Sequence, residues 1–275
     1  MRKLLMVLAL CPLGATGMYA QTWTTSFKCG AEWDQTKGLT ENVVCDADDR
    51  IAGFGGWATG NGKVDEITSD ANFPGGETAS MGFRHWRGGA NKTNKMGRNS
   101  NGGGIRIEIP SKPKDVWIRY YSRFEKGFCW QYINYTKELY VNVGLTGDNL
   151  VFTTAFSGDN GFGAGVVYPT SISHAGGPGW RSLMKGKCSD GSWHFFEVHV
   201  DVDNGTIETW ADGKLTRKQT KLRLGDAGIG WFLVGSNQCC VAEQPDMYTD
   251  YDDFAISTTG YIGPIGGTSD SSPPR

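Results

Sequence analysis

The cations Arg84, His85, Arg87, Lys92, Lys95, Arg98 and Arg106 crowd into one stretch, with no carboxylate between Glu77 and Glu108. The whole chain carries a formal charge of −2. A cationic segment on a slightly anionic protein is a local device, and two readings of it stand. It is a solvated loop that maintains solubility, or it is a site for a polyanion. Cations hold carboxylates and sulfates through charge-assisted hydrogen bonds, and indoles such as Trp57, Trp86, Trp130 and Trp210 stack on sugar faces. Together those chemistries suit an acidic glycan. Arg84, Arg87, Arg106, Arg119, Tyr121, Asn142 and Trp130 are the candidate binding residues.

The elements that must position these groups read as strands. The 275 residues include 40 glycines, and 12% are aromatic. No segment keeps apolar residues at helical spacing for three turns. Ile105, Ile107 and Ile109 alternate with Arg106 and Glu108. Val116, Ile118, Tyr120 and Phe124 alternate with Trp117, Arg119, Tyr121 and Arg123. Further strands are expected over 79–86, 138–145, 150–156, 163–168, 194–202, 206–211, 231–235 and 250–257. Short strands at this spacing, joined by Gly, Asn and Asp turns, predict an all-β, two-sheet antiparallel sandwich. Residues opposite the apolar set then share a face. Arg106, Arg119, Tyr121, Tyr140 and Asn142 are therefore expected to line one groove, with the basic loop as a wall.

Residues 1–20 read as a secretory signal, with Arg2 and Lys3 before a short apolar core over 4–13. No later segment is apolar enough to span a membrane. Its removal takes the formal charge from −2 to −4 and the seven cysteines to six, by loss of Arg2, Lys3 and Cys11. An even count in an exported chain points to disulfides. Cys29 with Cys45 is the local choice, and Cys239 and Cys240 suit different partners, such as Cys129 and Cys188. The connectivity stays open. The protein is expected to be secreted, extracellular or periplasmic, and monomeric, with no nucleic-acid partner. One domain is expected over 21–262, followed by a disordered Gly/Ser/Pro tail over 263–275.

Ser192-Trp193-His194-Phe195-Phe196-Glu197-Val198-His199-Val200, followed by Gly205-Thr206-Ile207-Glu208-Thr209-Trp210-Ala211-Asp212-Gly213-Lys214, resembles the concanavalin A-like jelly-roll superfamily. Asp252-Asp253-Phe254-Ala255-Ile256-Ser257 looks like the last strand of such proteins. Arg119-Tyr120, Phe124 and Gly127-Phe128, with Lys137, are similar to a pattern of alginate- and glucuronan-type polysaccharide lyases. Gly165-Val166-Val167-Tyr168-Pro169 keeps one of the two tyrosines expected there, and Thr153, Thr154 and Ala155 stand where arginines are expected.

The resemblance implies a concave sheet that binds glycans and β-elimination on a uronate polymer. Arg106, Arg119 and His85 would neutralise the carboxylate, which acidifies the C5 proton. Tyr168, Tyr140 or Lys137 would act as base and acid. A tyrosine in a strand is also at home as a plain sheet aromatic. The resemblance further implies a structural Ca²⁺ near Asp252 and Asp253, and no required cofactor. Hydrolysis fits poorly. Glu197, His199 and Asp201 alternate on one strand, but carboxyls four residues apart lie about 13 Å apart, against about 5–5.5 Å for a retaining hydrolase. The reading is a secreted lyase-like jelly roll acting on an acidic polysaccharide. The rival is a lectin-like or laminin-G-like glycan-binding module without catalysis.

Overall fold

The computed structural model describes residues 22–24, 51–54, 65–76, 82–87, 105–109, 111–128, 135–143, 149–157, 160–168, 189–222, 224–234, 238–239 and 247–266. They form fifteen strands, all paired antiparallel, and one 3-10 turn over Ser69–Ala71. The strands are β1 (Thr22–Thr24), β2 (Ile51–Phe54), β3 (Asp65–Thr68), β4 (Gly82–Arg87) and β5 (Ile105–Glu108). Next come β6 (Asp115–Phe124), β7 (Tyr135–Asn142), β8 (Asn149–Ser157), β9 (Asn160–Tyr168) and β10 (His194–Asp201). The last are β11 (Thr206–Ala211), β12 (Lys214–Gln219), β13 (Trp231–Val234), β14 (Gln238–Cys239) and β15 (Met247–Ser257).

Sheet A has the order β12, β11, β10, β6, β15, β4, β3, with β1 on β15. Sheet B has the order β2, β5, β13, β7, β8, β9, with β14 on β7. The expected sandwich is thus present. Alternation builds its interior. Ile118 and Tyr120 of β6, Phe196 and Val198 of β10, Ile107 of β5 and Phe232 of β13 are all fully buried in one core. Burying a side chain of this size contributes about 1.5–3 kcal/mol.

The opposite face of sheet A is also covered. Trp117, Arg119 and Tyr121 are 7, 4 and 5% exposed. The cover includes the segment after β15. Glu197 accepts the Ile262 and Gly263 N–H groups at 2.7 and 3.0 Å, and the Tyr121 hydroxyl accepts the Ile265 N–H at 2.9 Å. Phe73 stacks on Tyr121 at 4.0 Å. Gly263 and Ile265, which the sequence assigns to a disordered tail, are therefore held against the sheet. The signal segment and the rest of the tail lie outside the described residues, as do the cysteine side chains. No described helix is long and apolar enough to cross a membrane.

β15 carries an irregularity between Asp252 and Ala255, where Asp253 adopts a φ of 48°. Asp252 stabilises it by accepting the Phe73 N–H at 2.6 Å and the Asp253 N–H at 2.8 Å. Gly76 leaves room beside it: a Cβ there would run into the Asp253 carboxylate and force it to shift.

Candidate functional site

The residues expected to share one groove are divided between the two sheets. Arg119 and Tyr121 stand on β6 of sheet A, whereas Arg106, Tyr140 and Asn142 stand on β5 and β7 of sheet B. By strand position, each set alternates with the apolar residues of its own sheet, so the two sets of positions lie on opposite sides of the sandwich. The alternation in each strand was legible. The sheet to which each strand belongs is a matter of topology, which alternation does not carry.

On sheet A the candidates are occupied. Arg84 donates to Asp250 Oδ1 through Nε at 2.7 Å and to Oδ2 at 3.1 Å, and its guanidinium lies 3.6 Å from the Tyr248 ring centroid. Arg123 donates to the same Oδ2 at 2.9 and 2.6 Å. Arg84 is thus committed to a buried ion pair rather than offered to a ligand. His85 is fully buried, on the core side of β4 with Phe83. Arg119 donates to the Gly263 carbonyl at 3.3 Å. Burial pushes the Tyr121 phenol up, against the Ile265 N–H and Arg119, which makes it a poor base. Burial likewise pushes Glu197 up to about 7, although two N–H groups and Arg119 oppose the shift.

Asp252 and Asp253 are no more than 1% exposed, and Asp252 is engaged with the backbone through both oxygens. In this structure the pair serves the irregularity of β15.

Sheet B gathers the remaining candidates. The register forms a row from Arg106 through Leu233, Tyr140 and Val151 to Val166. Two residues along, Asn142 pairs with Asn149 and Asn149 with Tyr168. Two residues the other way, Lys137 pairs with Thr153 and Thr153 with Ala164. Lys137 and Tyr140 differ by an odd number along β7, so simple alternation would put them on opposite faces. The register shift between Lys137 and Leu139 returns Lys137 to the positions of Tyr140.

By register, the positions of Arg106, Lys137, Tyr140, Asn142 and Tyr168 therefore fall on one face, opposite the core-facing Ile107, Leu139 and Val141. Neighbouring rows are about 7 Å apart and neighbouring strands about 4.8 Å, so the positions span an area the size of a few sugar rings. Tyr140 and Leu233 are each 3% exposed and pack together, with Trp231 half-buried against them. The side chains of Arg106, Lys137 and Tyr168 lie outside the described residues, as do those of Arg87 and Trp130 and the basic loop over 88–104. Sequence reading missed Trp231 and Leu233 on this face. The strand over 231–235 is legible, but only pairing with β5 and β7 tells which face its residues join.

The protein is a two-sheet antiparallel jelly roll. Its fold is similar to that of the alginate lyase vAL-1 from Chlorella virus, at 12% identity over 80% of this chain and 98% of the lyase, with a TM-score of 0.52. The cellulose-induced protein Cip1 is similar at 16% identity over 74% of this chain and 94% of its own, with a TM-score of 0.43. A structure of botulinum neurotoxin type C, described as entering cells through interaction with two ganglioside molecules, is similar at 11% identity and a TM-score of 0.42. That match takes in 70% of this chain but only 43% of the toxin chain. No protein-family model matches the sequence, and no curated protein sequence matches it.

Proposed function

We propose that this protein binds an acidic polysaccharide on the outward face of sheet B and cleaves it by β-elimination. The observation that carries the reading is the register that gathers Arg106, Lys137, Tyr140, Asn142 and Tyr168. Arg106 and Asn142 would neutralise the uronate carboxylate and stabilise the enolate that forms when the C5 proton leaves. Lys137 and Tyr168 would supply the base that takes this proton and the acid that protonates the departing C4 oxygen, as the C4=C5 double bond forms, while Tyr140, buried against Leu233, would shape the floor of the site. Neighbouring cations favour the phenolate, so Arg106 and Lys137 would also bring a tyrosine into the range of a useful base. Trp231 offers an aromatic surface to a sugar ring. An alginate lyase shares the fold, so the scaffold can carry that chemistry. Export to the extracellular space or periplasm, with disulfides between the mature cysteines, belongs to the same proposal.

Binding tests the placement. Arg106→Ala weakens affinity for uronate polymers by about 1.5–3 kcal/mol, the scale of a charge-assisted hydrogen bond. Arg123→Ala, on the opposite sheet, leaves affinity unchanged. Calorimetry that shows the reverse order contradicts the assignment to sheet B.

A further inference from the structure

On the outward face of sheet A, at the β6 start and the β10 end, stands a side-chain cluster that the polysaccharide reading does not use. The His199 ring sits between two carboxylates. Its Nδ1 lies 2.9 Å from Glu208 Oε2 of β11, and its Nε2 lies 2.7 Å from Asp115 Oδ1 of β6. Trp117 stacks flat on the ring, with centroids 4.0 Å apart and planes 8° apart, which fixes its tilt. Glu208 is itself held by Lys218 of β12 at 2.6 Å. Ligand atoms of Asp115, His199 and Asp201 all lie within 4.8 Å of one another.

Hydrogen-bond valence makes this arrangement unusual. A neutral imidazole has one N–H, and a carboxylate only accepts. If Nδ1–H donates to Glu208, the Nε2 lone pair faces the Asp115 oxygen with nothing between them. A cation is needed there. It can be a second proton, or it can be a metal. A divalent ion would meet the charge there: Lys218 offsets Glu208, while Asp115 and Asp201 remain as two negative charges about the neutral ring. The carboxylate–histidine pair is also the arrangement that orients a metal-bound imidazole, because the outer carboxylate fixes the tautomer and raises the basicity of the ligating nitrogen.

The geometry points to a divalent transition-metal site, of the Zn²⁺ class, formed by His199 Nε2, Asp115 and Asp201. One nitrogen and two carboxylate oxygens suit Zn²⁺, with bonds of about 2.0–2.2 Å and water in the fourth position. Asp115, with 57% side-chain exposure, is free to close on the ion. Asp201 turns from Asn204, whose N–H and side-chain amide its two oxygens now accept. Glu208 is the positioning residue. The bound ion ties β6 to β10 and, through Glu208, to β11. It sits across the sandwich from the sheet B face, so its loss leaves the polysaccharide chemistry untouched.

Titrating the metal-free full chain with Zn²⁺ tests this, read by calorimetry and by thermal melting. One equivalent binds, with a rise in Tm. Asp115→Asn abolishes that equivalent while the metal-free fold, read by circular dichroism, is retained. Glu208→Gln keeps all three ligands but weakens Zn²⁺ binding about 10–100-fold. Co²⁺ in place of Zn²⁺ gives a visible absorption that requires His199. The proposal is overturned if no saturable Zn²⁺ binding occurs, which would leave a protonated imidazole as the cation. It is equally overturned if binding is indifferent to Asp115→Asn and Glu208→Gln, which would place the ion elsewhere.

Discussion

Asp212 shows how much one side chain fixes locally. It sits in the turn between β11 and β12, with a φ of 46°, followed by Gly213 at 74°. Asp-Gly is favoured there because both central residues of a type I′ turn need positive φ. Its Oδ1 accepts the Phe195 N–H at 3.0 Å, and its Oδ2 lies 2.9 Å from His194 Nδ1. Burial pushes its carboxyl up, but the His194 and Phe195 hydrogen bonds outweigh burial and hold it below the ordinary range. The folded-state pKa is depressed, so the unfolded chain binds more protons in that window. The contribution is present above the ordinary value of 3.8 and is lost as pH falls through the lower folded one. Asp212→Asn, which tolerates the same φ, costs about 1 kcal/mol at neutral pH, a modest figure because the side chain is partly exposed. Urea unfolding checks it: the gap between wild type and variant narrows as pH falls below the ordinary value of 3.8, and a gap that ignores pH contradicts the assignment.

At this scale the sequence showed which residues carry charge and hydrogen-bonding groups, but not which of them are already used. Arg84 and Arg119 look identical to Arg106 as letters in alternating strands. The structure shows that two of them are used: Arg84 by Asp250, and Arg119 by the Gly263 carbonyl.

Among elements, Asp250 joins three strands. It lies on β15, is fully buried, and receives Arg84 from β4 and Arg123 from β6. Removing one partner of a buried ion pair strands the others in low dielectric. Asp250→Ala therefore costs about 3–5 kcal/mol, far more than an exposed pair such as Lys114 with Asp203. Denaturant titration reads this directly, and a loss below about 1 kcal/mol would show that the arginines find water instead.

The strands themselves were unevenly legible. β5, β6, β10 and β11 alternate cleanly because one face of each packs on the core. β12, Lys214-Leu215-Thr216-Arg217-Lys218-Gln219, was not read as a strand. It is a sheet edge, largely exposed on both faces, so it carries no apolar period, and its lysines suit an edge that must not pair with another chain. The register shift in β7 was invisible too, because pairing with β8 sets it. Without that shift, Lys137 would not join the face of Tyr140.

Over the whole molecule, the two outward faces differ. That of sheet A is covered around Glu197 and Tyr121 by the segment over 261–265 and by Phe73. That of sheet B collects the positions of Arg106, Lys137, Tyr140, Asn142 and Tyr168. Fold class was legible from periodicity because a sandwich core writes its period into each strand. The division of candidates between faces was not, since strands far apart in sequence become neighbours: β5 reaches β7 only through β13.

The most direct test of the sheet B assignment is absorbance at about 235 nm, where the unsaturated product of uronate elimination absorbs, across a panel of uronate polymers. Wild-type protein is expected to raise it on at least one polymer. Tyr168→Phe should lose that turnover while keeping affinity for the same polymer, because an acid–base group is removed and binding contacts are not. Polymer binding by the wild type with no absorbance change on any uronate would contradict the account and leave a glycan-binding module without catalysis.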